Sequence, residues 1–141
     1  MHSAGRTRRV AAALLFARPF AGAAALCLAA ASAPAQDVDL AKARQQFVSS
    51  CGVCHTADKG GANRQGPNLH GIVGKAAIAS PDFKYSEPLK SSGLVWDEAT
   101  LDRWIEDAQK MLPGTIMAYR QRDSERRRLV IAYLKSLSDD R

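Results

Sequence analysis

The sequence predicts an all-α domain of three to five helices folded around something other than its own side chains. Three observations carry this prediction. Apolar residues recur at helical spacing in three segments, and nothing alternates strongly at period two. Between the first and second of these segments, Ala57 to Lys84 is rich in Gly, Pro, Asn and Ser and shows no period. A loop that long is uncommon inside a compact domain unless something non-protein fills the space.

Residues 1–35 stand apart. Met1–Arg18 is basic, Phe20–Ala31 is an unbroken small or apolar run, and Ala33-Pro34-Ala35 supplies an A-x-A end. That order is the pattern of a cleaved secretory signal peptide. An uncleaved anchor would need roughly 20 apolar residues, and Arg18-Pro19 interrupts the only candidate. Arg8-Arg9 hints at a twin-arginine signal, but Val10-Ala11-Ala12 continues it poorly, and Leu26 before Cys27 argues against a lipoprotein site. The expected organisation is therefore a signal over 1–35 and one domain over 36–141, exported to a bacterial periplasm. Charge reads differently once this is seen. The whole chain of 141 residues carries a formal +6, which would ordinarily raise nucleic acid or an anionic membrane as partners. Four of those charges (Arg6, Arg8, Arg9, Arg18) belong to the leader, which has no acidic residue, and the rest is near balance.

The helices follow in order. Leu40, Ala43 and Phe47, with Asp37 or Asp39 as N-cap, predict a helix over 38–50. Ser86–Ser92 reads as a short helix stopped by Gly93. Asp97 caps a clearer one, with Leu101, Trp104, Ile105 and Ala108 on one face, ending before Pro113-Gly114. Asp123–Leu137 is the last, with Leu129, Val130, Tyr133, Leu134 and Leu137 as its apolar stripe. A domain of this size buries about two thirds of its extended-chain surface, yet residues 57–95 offer few large apolar side chains. Their glycines suit a chain folded closely around a bulky ligand.

Cys51-Gly52-Val53-Cys54-His55 names that ligand. C-x-x-C-H is the pattern of covalent haem attachment: two thiols one helical turn apart each add to a vinyl group on one porphyrin edge, and the adjacent histidine is carried under the ring. Zinc would need a second pair of ligands, for which only His70 remains. A dithiol–disulfide centre would need a β-α-β setting, which this chain lacks.

Pro113-Gly114-Thr115-Ile116-Met117 then places a methionine after a tight turn. With Phe47, Cys51–His55, Gly60-Gly61, Gly66–Gly71, Phe83, Tyr85, Gly93–Trp96 and Ile131–Leu134, the chain resembles class I cytochrome c of the mitochondrial and α-proteobacterial type over nearly all of 38–137. The resemblance implies the cytochrome c fold, wrapped around one haem c held through Cys51 and Cys54. It implies His55 and Met117 as axial ligands, with Met111 as a rival placed on the helix before Pro113. Pro67 is implied as the acceptor for the His55 Nδ1 proton, Tyr85 and Trp96 as donors to a haem propionate, and Phe47 and Tyr133 as the crossing contact of the first and last helices. His70 is expected on the surface. Trp104 stands where a tyrosine commonly donates to the methionine sulfur, and indole replaces it only if its N–H points inward. Leu89 replaces an asparagine of the buried polar network, and Ile116, Ser50 and Gln109 interrupt the family's lysine ring.

With both axial positions filled, no coordination site is open for peroxidase or gas-binding chemistry, so the expected function is one-electron transfer rather than enzymic turnover. A haem enzyme or sensor with a labile methionine is the competing reading; a domain that keeps haem only for folding is a third. The resemblance implies a quinol–cytochrome c reductase, or alternatively a dehydrogenase, as donor. It implies a terminal oxidase or photosynthetic reaction centre as acceptor. A monomer is expected, with no nucleic-acid partner and no stable membrane insertion.

Overall fold

A computed structural model describes residues 38–138; the expected leader lies outside them. The described chain forms four helices, α1 (Leu40–Ser50), α2 (Glu87–Ser91), α3 (Glu98–Met111) and α4 (Ser124–Ser136). It has no strand, only an isolated bridge between Ala76 and Val95. None of these helices is long and apolar enough to cross a membrane.

Each longer helix starts where an aspartate can satisfy its first free N–H groups. Asp39 accepts from Ala41 N at 2.9 Å, Asp97 from Thr100 N at 2.7 Å, and Asp123 from Glu125 N at 2.9 Å. Helix α2 begins with Pro88 in its first turn and stops before Gly93, which takes φ +63°. The apolar faces then decide the packing. Helix α4 packs against both α1 and α3, with the Phe47 and Tyr133 rings 5.0 Å apart at the α1–α4 contact. Ala43 and Ala108 are wholly buried, and Leu101, Trp104 and Ile105 face inward as their spacing predicts.

Several side chains depart from the predicted stripes. Leu40 is 51% exposed, so the buried face of α1 begins at Ala43. On α4 the buried set is Val130, Ile131 and Leu134, while Leu129, Tyr133 and Leu137 are half-buried. Arg127 is also buried. Its Nε and Nη2 bond the Asp102 carboxylate at 2.7 and 3.2 Å, and its Nη1 donates to the carbonyls of Gln121 and Arg122 at 3.0 Å each. A guanidinium tolerates burial when its donors are met in this way.

Between α1 and α2 the backbone has no regular element. Ile72, Ala77, Tyr85 and Leu89 turn inward from this segment and from α2 and join the same buried core as the helix faces. They line a cavity of about 350 Å³.

Candidate functional site

The cavity is walled by every region of the domain: Cys51, Cys54 and His55 after α1, Gly66, Pro67 and Leu69 from the loop, Tyr85 and Leu89 beside and on α2, Trp96 before α3, Leu101, Trp104 and Ile105 on α3, Met117 after it, and Val130 and Leu134 on α4. None of its lining side chains is Asp, Glu, Lys or Arg. Six of the expected site residues therefore share one apolar chamber with Pro67. Met111 does not line it and packs half-buried against the core. His70 lies apart as well, half-buried rather than on the surface, with its N–H on Asn68 Oδ1 at 3.0 Å.

Helix α1 ends in a turn that presents the cysteines. The N–H of Cys54 and that of His55 both bond the Cys51 carbonyl, at 3.1 and 2.9 Å. Both cysteines are free thiols. Cys54 Sγ donates to Gln65 Oε1 at 3.2 Å. Burial, with the neighbouring Cys54 second, pushes the Cys51 thiol up to about 12. A redox-active cysteine has the opposite shift, toward thiolate. Among the described residues no group of three or more His, Cys, Asp and Glu gathers to hold a metal ion.

His55 Nδ1 lies 2.8 Å from the Pro67 carbonyl. A carbonyl only accepts, so Nδ1 carries the proton and Nε2 keeps its lone pair. Burial holds the imidazole below its ordinary pKa, opposed by the Pro67 bond, and so favours the neutral form that binds iron. Gly66 fits against the ring: a Cβ there would overlap the His55 imidazole. This close approach sits inside a motif recognised from sequence, but the need for a hydrogen at that position shows only in three dimensions.

Met117 is held from the other partner. The Trp104 Nε1–H donates to its sulfur at 2.8 Å, so the indole does point inward. Trp96 packs on Trp104 with ring centroids 5.1 Å apart. Tyr85, in edge contact with Phe83, accepts the Ser80 N–H on its hydroxyl oxygen at 3.1 Å; the hydroxyl's own proton has no acceptor among the described residues. Leu89 is buried and apolar where a polar group was expected from the family.

The donor set, one imidazole, one thioether and two free thiols on the wall of an apolar chamber, fits a covalently attached haem. Known proteins give the same reading. The family described as Cytochrome c matches residues 40–138. The chain is 39% identical over 106 residues to cytochrome c of Chlamydomonas reinhardtii, covering 74% of this chain and 93% of that one. It is 41% identical over 100 residues to cytochrome c2 of Rhodopila globiformis, covering 70% and 93%. Among solved structures, cytochrome cH from Methylobacterium extorquens superposes with a TM-score of 0.63 at 39% identity, covering 70% of this chain and 99% of that one. The chain thus belongs to the cytochrome c family: an electron-transfer protein rather than an enzyme, with one covalently attached c-type haem.

Proposed function

We propose that the protein is a soluble periplasmic one-electron carrier, shuttling electrons between respiratory or photosynthetic complexes with His55 and Met117 as the two axial ligands. The observation that carries this reading is the pairing of two soft or borderline donors in one chamber, each with its other polar contact already made: His55 through Pro67 and Met117 through Trp104. When bound, haem c supplies a ferric–ferrous couple whose potential depends on its ligands, their hydrogen bonds and its burial.

The chain's own residues do the rest. Cys51 and Cys54 hold the group in place. Pro67 fixes the tautomer and orientation of His55, as partners of a metal-bound histidine do. Trp104 fixes the rotamer of Met117. Ile72, Leu89, Leu101 and Ile105 exclude water, which keeps the two oxidation states in similar surroundings. Tyr85 has a proton to give to a carboxylate, and Trp96 is the second donor assigned to a propionate. The N-terminal 35 residues serve as the export signal in this reading, since attachment of haem c takes place outside the cytoplasm.

Carbon monoxide tests the proposal. Reduced holoprotein should bind it negligibly at neutral pH, and Met117→Ala should bind it readily and show a strongly lowered potential. Rapid binding by the unaltered protein would favour the gas-binding or peroxidase reading instead. Stopped-flow reduction and oxidation against a quinol–cytochrome c reductase, a dehydrogenase, a terminal oxidase and a reaction centre would identify the partners.

A further inference from the structure

Met117 lies in a segment, 113–121, that contains no helix or strand, so the place of its thioether depends on what holds that backbone. Helix α3 supplies the hold through a break in its own. Asp107 leaves the helical conformation for extended backbone, φ −165° and ψ 90°. Its Oδ1 then takes the Lys110 N–H at 3.0 Å, as an N-cap would, and a final turn restarts after it. Gln109 stands on that turn. Its Nε2 donates to the Thr115 carbonyl and, at 3.2 Å, to the Met117 carbonyl. A side-chain amide has two N–H donors, and here each has a carbonyl of the same loop. Two further ties flank the clamp: Arg120 Nη2 meets Asp107 Oδ2 at 2.9 Å, and the Gln121 N–H meets the Ile105 carbonyl at 2.9 Å.

We propose that Gln109 is the positioning residue of the distal ligand, holding the Met117 backbone through its carbonyl and so setting how readily Met117 leaves. The inference rests on Met117 as the ligand. It concerns a side chain that is exposed and touches neither the cavity nor the sulfur. Sequence spacing gives no sign of it, because a glutamine near the end of a helix reads as a solvated residue.

The test titrates ferric holoprotein with imidazole and follows loss of the methionine–iron absorption band. Imidazole enters only when Met117 is off, so its apparent affinity scales with the Met117-free fraction. Gln109→Leu removes both donors and should raise that affinity about tenfold, the worth of two neutral, partly solvated hydrogen bonds. Gln109→Glu sets a carboxylate against two carbonyl oxygens and should raise it further. Gln109→Asn, one methylene shorter, should raise it less, and keeps the test open should a harsher variant not fold. Asp39→Ala, which removes the α1 N-cap, lowers global stability without touching the loop and should leave the affinity within twofold. The proposal is overturned if Gln109→Leu also stays within twofold, or if Asp39→Ala rises as much. Equal imidazole affinity in unaltered protein and Met117→Ala would instead sink the ligand assignment, leaving a distinct signature for each failure.

Discussion

Trp104→Phe isolates the hydrogen bond aimed at the sulfur of Met117, the proposed distal ligand. Trp104 is 6% exposed, and its Nε1–H lies 2.8 Å from Met117 Sδ. A sulfur that shares electron density with a proton gives less of it to ferric iron, so the bond favours the ferrous state. A neutral hydrogen bond contributes about 1 kcal/mol net. For a one-electron couple 59 mV corresponds to a tenfold change in equilibrium, or about 1.4 kcal/mol. If all of that bond discriminates between oxidation states the potential falls by about 40 mV; if half does, by about 20 mV. The smaller ring also leaves a void beside Trp96, whose ring centroid is 5.1 Å away, so stability should fall by about 1–3 kcal/mol. Redox titration of the two holoproteins measures the first effect and denaturant unfolding the second. An unchanged or raised potential with the methionine–iron band intact would refute the reasoning about the sulfur, whatever happens to stability.

Gly66→Ala should place a methyl in the His55 ring, displace it from the Pro67 carbonyl, and sharply reduce the yield of low-spin holoprotein; normal spectra and normal yield would show that the loop gives way. Arg127→Met should cost about 3 kcal/mol, because the Gln121 and Arg122 carbonyls lose their donor, whereas the Asp102 side chain is 41% exposed and can rehydrate; a loss below about 1 kcal/mol in urea unfolding would contradict this. The Thr100 N–H holds the Asp97 carboxyl below its ordinary value of 3.8. Its contribution to stability is therefore complete above that pH and is lost as pH falls through the lowered value. Asp97→Asn keeps an acceptor but cannot titrate, so its acid unfolding limb should be shallower; identical limbs would contradict the assignment.

How much of this was legible in the sequence depends on how local each feature is. The caps Asp39, Asp97 and Asp123 and the stop at Gly93 act within a few residues, and α1 to α4 fall where they point. The inward face of α3 follows from spacing alone. Cys51, Cys54 and His55 were readable because their chemistry fixes their separation. The bonds from Gln109 and Arg127 were not readable. Arg127 meets a carboxylate 25 residues earlier, and an arginine amid Arg126 and Arg128 gives no hint that it alone turns inward. The break at Asp107 was hidden for another reason: aspartate is an ordinary residue in such a helix, and what displaces it is its capping of Lys110 and its pairing with Arg120.

The packing of α1 on α4 has a consequence for chain length. Those helices fasten the two ends of about 70 intervening residues, and the entropy of closing a loop grows only with the logarithm of its length. Ten residues added to the irregular stretch between them would raise that closure cost by only about 0.1 kcal/mol. Insertions that avoid the cavity wall should therefore be nearly neutral for stability, whereas an equal insertion within α1 or α4 would turn one buried face away from the other.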